Sequence, residues 1–325
     1  MKPKVFISRR LPEEIMREME QHFLVKCNPD DRNLNYEELK EGAKDCDVIV
    51  TLLANRIDRE FLLQNSTLKG VCNYAVGYNN IDVAAASELG ILVCNTPGVL
   101  TQTTADLAWS LLMSAARRIA EGDRYARAGK FNGWAPLLLQ GQDIYGKTLG
   151  IIGAGRIGEA VAQRSSGFAM KVVYYDNGYN DMMEKELGAK KVGLNELLKE
   201  SDFISLHVPY NESTHHLIGE EELALMKNTC VLINTARGRV VEEKALITAL
   251  KNNKIAAAGL DVFYSEPDIP KAMCDLENIV IVPHIGSATK ETRIKMAQLV
   301  LDCAIACVSG KLPPSIVNPE VISKK

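Results

Sequence analysis

Short apolar segments alternate with helical patterns along almost the whole chain, and this alternation restricts the fold more than any other feature. "KVFIS" precedes "LPEEIMREMEQHF", "DVIVTLL" precedes "DREFLLQN", and "LKGVCNYA" precedes "DVAAASELG" and then "ILVCN". The pattern restarts at "KTLGIIG" and continues through "KVVYYD", "FISLHV", "CVLINTA", "AAAGLDV" and "IVIVPH". Strands that alternate with helices form parallel sheets covered on both faces. Two sets of such strands predict an α/β protein with two doubly wound parallel-sheet domains.

A long helical stretch, residues 103–130, separates the two sets of strands. Apolar residues recur there at helical spacing, at Leu107, Leu111 and Ala115. The loop that follows, "FNGWAPLLLQGQDIYGK", carries Trp134 and three leucines. A monomer would leave a large apolar surface exposed here, so a homodimer interface over about 103–145 is expected. A last helix, "KETRIKMAQLVLDCAIACVSG", is expected to return to the first domain.

Length and charge exclude several classes of protein. The 325 residues are enough for two domains with a core each. The net charge of −3 provides no field that would attract nucleic acid or an anionic membrane. The start, "MKPKVFISRR", lacks the apolar stretch of a signal peptide, and no run of apolar residues is long enough to span a membrane.

Eight cysteines occur, most of them inside apolar runs such as "GVCNYAV" and "CVLIN", where a thiol behaves as a small hydrophobe. Cys303 and Cys307 lie four positions apart on a predicted helix. No histidine or further cysteine is expected near them to complete a metal site, and no metal is predicted. The pattern favours a reduced, cytoplasmic protein.

The sharpest local motif is "TLGIIGAGRIGEAVAQR", in which Gly153, Gly155 and Gly158 form G-x-G-x-x-G after an apolar strand and before a helix. The first glycine permits the tight turn, the second lets the backbone approach a pyrophosphate, and the third lets helix and strand pack closely. Ala154 lies in the turn. The amides of Arg156 and Ile157 would face the anion at the positive end of the helix.

A second signal supports a dinucleotide site. "KVVYYDN" ends the next strand with Asp176, whose carboxylate is placed to accept hydrogen bonds from the adenine ribose hydroxyls. That carboxylate would repel a 2′-phosphate, and the following Asn177 and Gly178 offer no cation to hold one. NAD(H) is therefore favoured over NADP(H).

Three charged residues follow strands of the second set, where a ligand crevice is expected: Arg237, Glu266 and His284. The arginine can bind a carboxylate in a two-pronged way. The histidine can donate a proton to a carbonyl oxygen and accept it in reverse. The glutamate can hold the imidazole in one orientation and favour its protonated form. Together they suit hydride transfer to a 2-keto acid.

Six motifs carry a family resemblance: "NYAVGYNNID", "NTPGVLTQTTADLAWSLL", "IIGAGRIG", "NTARGRVV", "GLDVFYSEP" and "VPHIGSAT". Over nearly its whole length the chain resembles the D-isomer-specific 2-hydroxyacid dehydrogenases, most closely the glyoxylate/hydroxypyruvate reductases. The resemblance implies a flavodoxin-like substrate-binding domain from residues 1–99 and 287–325. It also implies an inserted Rossmann NAD-binding domain, 100–286, and an active site in the cleft.

The resemblance also implies residue roles. Arg237, Glu266 and His284 match catalytic positions, and the amides of Val76 and Gly77 match those that hold the substrate carboxylate. The remaining implied cofactor contacts are Thr104, Val208, Pro209, Thr235, Ala236, Arg237, Asp261, His284 and Gly286, with Asp261 placed to bond the carboxamide.

Alternatives within and outside the family stay open. D-lactate and D-3-phosphoglycerate dehydrogenases share the motifs, whereas relatives that oxidise phosphite carry a lysine in place of Val76, and formate dehydrogenases a glutamine in place of Glu266. A second class, NADH-sensing corepressors, keeps the fold. Such proteins usually carry partner-binding segments, and this chain shows no low-complexity arm.

Overall fold

A computed structural model describes residues 2–323. Its strands, in chain order, are β1 (Lys4–Ile7), β2 (Leu24–Cys27), β3 (Val48–Thr51), β4 (Gly70–Asn73), β5 (Leu92–Cys94), β6 (Thr148–Ile152), β7 (Lys171–Tyr175), β8 (Lys190–Lys191), β9 (Phe203–Leu206), β10 (Val231–Asn234), β11 (Ala257–Leu260) and β12 (Ile279–Ile281). Its α-helices are α1 (Glu13–His22), α2 (Tyr36–Ala43), α3 (Arg59–Gln64), α4 (Val83–Glu88), α5 (Thr101–Ala116), α6 (Ile119–Arg127), α7 (Arg156–Arg164), α8 (Asp181–Leu187), α9 (Leu194–Glu200), α10 (Glu220–Leu225), α11 (Glu243–Lys251), α12 (Lys271–Cys274), α13 (Lys290–Ser309) and α14 (Glu320–Ser323).

The chain forms two compact units. The first unit contains the residues up to Leu100 together with those from Ser287 onward, and the second is Thr101–Gly286. The boundary expected between residues 99 and 100 lies one residue before the observed one. The substrate-binding and dimerisation roles assigned to these segments stay predictions. None of the helices in the described chain combines the length and the apolar character that crossing a membrane requires.

The first unit holds a five-stranded sheet in which neighbouring strands are all parallel, in the order β2-β1-β3-β4-β5. This is the flavodoxin-like order of doubly wound folds. Strands β3 and β4 are buried along their whole length because helices cover both faces. One core, which includes Phe6, Ile49, Phe61 and Val93, joins the sheet to α2, α3 and α4.

Helix α13 completes this unit by packing on β3, β4, β5 and α1. The segment after it is fastened to β5 by Asn318. The Asn318 side chain accepts a hydrogen bond from the Val93 amide at 2.8 Å and donates one to the Ile91 carbonyl at 2.9 Å. The first unit is therefore built from both ends of the described chain.

The structure corrects one expectation about the cysteines. Strands β4 and β5 bring Cys72 and Cys94 against α13, so that further cysteines do lie beside Cys303 and Cys307. Sequence spacing concealed this because more than two hundred positions separate Cys94 from Cys303.

The second unit holds a seven-stranded parallel sheet in the order β12-β11-β10-β9-β6-β7-β8. From β6 the chain runs outward first through β7 and β8, then crosses back and continues through β9 to β12. This is the Rossmann arrangement, and dinucleotides bind where the strand order reverses, here between β6 and β9. Hydrophobic cores lie on both faces of the sheet.

The predicted helix over 103–130 is interrupted. Helix α5 ends at Ala116, and α6 starts at Ile119, because Arg118 takes a left-handed backbone conformation with φ of 53°. The Arg118 guanidinium forms two hydrogen bonds of 2.7 Å with the Glu121 carboxylate in the first turn of α6. Helix α5 packs on β10, β11, β12 and α7, so it belongs to the core of the second unit.

Candidate active site

The turn after β6 depends on two glycines. Gly153 has φ of 96°, and a Cβ placed there would lie 2.7 Å from the backbone of His207 and Val208. A Cβ on Gly158 would lie 2.0 Å from the Gly153 carbonyl oxygen. Both positions therefore exclude any side chain, which confirms the structural part of the glycine argument.

Gly155 differs from Gly153 and Gly158 because none of the described residues beyond its chain neighbours would meet a Cβ there within 4 Å. It is the N-cap of α7, and no side chain caps this helix. The first-turn amides, which include those of Arg156 and Ile157, thus point toward an open space beside Gly155 and Ala154. An anion such as a pyrophosphate fits this helix N-terminus.

Asp176 follows β7 and lies beside the same turn. Its Oδ2 accepts a hydrogen bond from the Ala154 amide at 2.7 Å, and its Oδ1 accepts one from the Gly178 amide at 3.1 Å. Sequence reasoning missed a cation nearby, because Lys191 lies fifteen positions further on. The Lys191 Nζ donates to the Asn177 carbonyl at 3.1 Å.

Residues 208–209 and 235–236 follow β9 and β10, at the same edge of the sheet as the turn. Thr235 is buried, and its hydroxyl has no hydrogen-bond partner within the described protein. A buried hydroxyl of this kind is ordinarily satisfied, so its position here fits a bound polar ligand. Together with the glycine turn and Asp176, it shows that the residues fit a nicotinamide dinucleotide.

His207, just before Val208, is half-buried. Burial lowers its pKa to about 3, and its Nε2 lies 2.8 Å from the Ser205 hydroxyl. A neutral, satisfied histidine agrees with the packing role that the sequence suggested.

The structure brings Glu266 and His284 together. The Nδ1 atom of His284 lies 2.7 Å from Oε2 of Glu266, and the other carboxylate oxygen accepts a hydrogen bond from the Phe263 amide at 3.1 Å. Burial disfavours the charged carboxylate, but the His284 and Phe263 bonds outweigh it and lower the pKa of Glu266. Because Nδ1 is held by a carboxylate, Nε2 is the nitrogen left for a substrate.

The backbone at His284 is constrained. Its φ is 53°, a conformation that costs a residue other than glycine about 1–2 kcal/mol. The next two amides hold the chain there, since those of Ile285 and Gly286 donate to the two oxygens of Asp261 at 2.6 and 2.8 Å. On the other side, the Thr104 hydroxyl donates to the Gly286 carbonyl at 3.1 Å.

Asp261 thus has a role that the sequence did not show. Burial raises its pKa, while the two amides act in the opposite direction. Asp261 and Thr104, expected to contact a cofactor, anchor the loop that carries the histidine. A loop signature such as "PHIG" gives no hint of the distant residue that anchors it.

Arg237 follows β10 and is half-buried. Its Nη1 donates to the Ala236 carbonyl at 2.7 Å, and the Asn234 side chain donates to the Arg237 carbonyl at 2.9 Å. Burial lowers the pKa of Arg237, and the charge of Glu266 opposes this. A Cβ on Gly238 would lie 2.0 Å from the backbone of Phe263, so this glycine lets the arginine loop and the glutamate loop approach each other.

Val76 and Gly77, expected to bind the substrate carboxylate, lie in the first unit. Both are half-buried, in the loop after β4. The Asn95 side chain donates to the Val76 carbonyl and the Asn73 side chain to the Gly77 carbonyl, both at 2.7 Å. These asparagines, which the sequence did not single out, fix the orientation of the Val76–Gly77 and Gly77–Tyr78 peptides.

Comparison with known proteins gives consistent similarities. A family model described as D-isomer specific 2-hydroxyacid dehydrogenase, NAD binding domain, matches residues 109–286. A glyoxylate reductase of Korarchaeum cryptofilum is 51% identical over 324 residues, which cover 99% of this chain and 98% of the relative. The crystal structure of a glyoxylate reductase from Paecilomyes thermophila matches with a TM-score of 0.86 at 34% identity, covering 98% of this chain and 99% of the other.

An NADPH-dependent glyoxylate/hydroxypyruvate reductase from Sinorhizobium meliloti, solved with NADP and malonate, matches with a TM-score of 0.85 at 30% identity. The match covers 98% of this chain and 97% of that structure. Both dinucleotides therefore come into consideration for a chain with this fold.

Proposed function

Since the chain belongs to the D-isomer-specific 2-hydroxyacid dehydrogenases, we propose that it reduces glyoxylate, with hydroxypyruvate as a second substrate and NADH as the reductant. As a member of this family it is a nicotinamide-dependent oxidoreductase of 2-keto and D-2-hydroxy acids. The assignment of the catalytic residues rests on the 2.7 Å distance between Oε2 of Glu266 and Nδ1 of His284. The names of the relatives support the choice of a small substrate.

The proposed reaction divides the work between cofactor and protein. The bound nicotinamide supplies a hydride to the keto carbon. His284 gives its Nε2 proton to the carbonyl oxygen, which becomes the hydroxyl of the product. Glu266 stabilises the charged imidazole and keeps Nδ1 engaged, so that the proton is presented from one fixed atom. In the oxidative direction the same nitrogen accepts the hydroxyl proton.

We assign the substrate carboxylate to Arg237 and to the amides of Val76 and Gly77. A guanidinium can form two parallel hydrogen bonds with a carboxylate, which a lysine cannot do. The Gly77 amide shares a peptide with the Val76 carbonyl that Asn95 holds, and the Val76 amide shares one with the Ala75 carbonyl, which accepts a hydrogen bond from the Thr96 amide at 2.8 Å. Donors held in this way lose little freedom when an anion binds.

For the cofactor, we propose NADH over NADPH. The support is the Asp176 carboxylate beside the glycine turn, which would repel a 2′-phosphate. The Lys191 ammonium group would instead attract a 2′-phosphate, because it lies near the same segment. The carboxylate bonds directly to the Ala154 amide of the turn, whereas the ammonium group bonds to the Asn177 carbonyl.

We also propose a homodimer in the cytoplasm. Several large apolar side chains between α6 and β6 are exposed: Phe131 is 62% exposed, Trp134 85% and Leu137 79%. Such a cluster favours a protein–protein contact. All eight cysteines lie within the described residues and none of them forms a disulfide, as in proteins of reducing compartments.

The deciding experiment is NADH oxidation by the purified protein with glyoxylate, hydroxypyruvate, pyruvate and phenylpyruvate in parallel. His284→Ala should lose at least a hundredfold in kcat, because general acid catalysis contributes about 10²–10⁴-fold. His22→Ala, which removes an exposed histidine on α1, serves as the control and should behave as the wild type. Binding of NADH without turnover of any acid would contradict the proposal and favour an NADH sensor.

A further inference from the structure

Four buried thiols converge in the first unit, where β4 and β5 meet α13. The Sγ atoms of Cys72, Cys94 and Cys307 all lie within 4.8 Å of one another. Cys303 lies one helical turn before Cys307 on α13 and interacts with Cys94, but it is outside this group of three. The four residues are between 0% and 6% exposed. The proposed dehydrogenase chemistry uses none of them.

The fold itself builds this cluster. Cys72 and Cys94 are register partners on neighbouring parallel strands, so their side chains leave the sheet on the same face. Cys303 and Cys307 are four positions apart and share one face of α13. A Cβ on Gly70 would lie 2.5 Å from the Cys307 Sγ, so the missing side chain lets this helix come close to β4.

The surroundings of Cys303 also fit a ligand role. Its Sγ lies 3.2 Å from the Ser315 hydroxyl oxygen, and that hydroxyl donates its only proton to the Asn95 carbonyl at 2.5 Å. The Cys303 thiol must therefore be the donor to Ser315. Once it loses that proton, the sulfur can no longer bond to the Ser315 oxygen, and a cation in the cluster would then balance its negative charge.

The donor set selects the cation. Thiolates alone, without carboxylate or imidazole, favour thiophilic ions such as Zn²⁺. With Zn–S bonds of about 2.3 Å, tetrahedral geometry places the sulfurs about 3.8 Å apart, so separations up to 4.8 Å close on a zinc ion with small side-chain movements. Cys46 lies in the same unit and is also buried, at 2% exposed, but it belongs to no such group of three among the described residues.

We propose that Cys72, Cys94 and Cys307 bind a structural Zn²⁺ ion, with Cys303 as the fourth ligand. Binding releases one proton from each coordinating thiol to the solvent and involves no change of oxidation state. The ion ties α13 to the two strands on which it packs, and so holds together the two chain segments of the first unit. The site is separate from the residues assigned to hydride transfer, and its existence does not depend on the substrate.

Because the thiols are buried, the ion has to enter while the chain folds. The test therefore begins with protein produced in cells supplied with zinc, compared with protein from cells grown without added zinc. Bound metal is counted by elemental analysis and by mass spectrometry of the intact folded protein. Cys94→Ala removes the central thiol, and Cys46→Ala is the matched control.

The proposal predicts about one zinc per chain in the wild type and in C46A, and at least a tenfold lower content in C94A. It also predicts that zinc-depleted wild type melts several degrees below the loaded protein, while C94A melts at the same temperature with or without zinc. A reduced wild type that carries no zinc after growth in supplemented medium would overturn the proposal. So would a disulfide among the four cysteines, or zinc that persists in C94A, since that metal must be bound elsewhere.

Discussion

Replacing Glu266 by glutamine isolates the charge of the carboxylate from its role as a hydrogen-bond acceptor. The glutamine side chain has the same length, and its carbonyl oxygen can still accept the Nδ1 proton of His284. The lowered pKa of Glu266 means that the wild-type carboxylate is ionised throughout an assay from about pH 5 to 9. The substitution therefore removes one negative charge 2.7 Å from the imidazole and leaves its orientation nearly unchanged.

The size of the effect follows from this contact. A hydrogen bond to a charged group contributes about 1.5–3 kcal/mol, and 1.36 kcal/mol corresponds to a tenfold change in rate. Both side chains are 35% exposed, so water screens the pair and the lower half of this range applies. A neutral hydrogen bond, which glutamine keeps, contributes about 0.5–1.5 kcal/mol, so the charge alone accounts for about 1 kcal/mol, and we expect kcat/KM for reduction to fall about fivefold in E266Q. Glu266→Ala, which also removes the acceptor, should lose more.

The pH dependence follows from the lowered pKa of Glu266. Its negative charge is present from the ordinary range of a glutamate upward and is lost as the pH falls through the lowered pKa. The ratio of wild-type to E266Q kcat/KM should therefore be constant at neutral pH and shrink at acidic pH, where the wild-type carboxyl is also neutral. The ratio is measured as kcat/KM against pH for the two proteins.

A double-mutant cycle supplies the refuting result. If Glu266 acts through His284, E266Q should have almost no further effect in the His284→Ala background. Glu222→Gln, which removes an acid that caps α10 at Gly219, controls for the loss of a charge in the same unit. An equal E266Q effect with and without the histidine, or a wild-type to E266Q ratio that does not shrink at acidic pH, would refute the coupling.

Three further predictions concern the cofactor turn and the histidine loop. Gly158→Ala should destabilise the protein by about 1–3 kcal/mol in chemical unfolding, because its Cβ would lie 2.0 Å from a backbone oxygen. Gly155→Ala should leave stability unchanged but raise the Kd for NADH at least tenfold. The opposite pattern would contradict the assignment of this turn to the cofactor. Asp176→Ser should lower the ratio of kcat/KM with NADH to that with NADPH at least tenfold, and an unchanged ratio would show that this carboxylate does not select the cofactor. Asp261→Asn replaces one of the two carboxylate oxygens that accept from the Ile285 and Gly286 amides by an NH₂ donor. It should lower kcat about tenfold, since an unpaired buried amide costs about 1–3 kcal/mol. An unchanged kcat would show that the loop holds its shape without this anchor.

The fold could be predicted because apolar runs of four or five residues mark buried parallel strands. Strands β2 and β8 escaped that pattern. They lie at the edges of their sheets, where β2 alternates between exposed and half-buried residues and β8 consists of two lysines. Edge strands need little apolar surface, so their sequences carry little signal.

The site could be predicted where the residues of a motif lie close together in the sequence. Glycine spacing and a histidine at a strand end are visible in a short window. The anchoring of the histidine loop by Asp261, and the approach of Cys94 to Cys307, depend on long-range packing that no window contains. The break at Arg118 was hidden for another reason, since arginine has no preference for a left-handed backbone.

The composition of the first unit from both ends of the chain affects how the protein can be made. Helix α13 begins at Lys290, 196 positions after Cys94. At the usual rate of about 5–20 residues per second, a ribosome needs roughly 10–40 s to make that stretch. During this time the second unit, Thr101–Gly286, emerges as one uninterrupted segment and can form its sheet. The sheet of the first unit must wait for α13, so its thiols stay accessible to solvent until that helix has been made, and the strands that are synthesised first are the last to be covered.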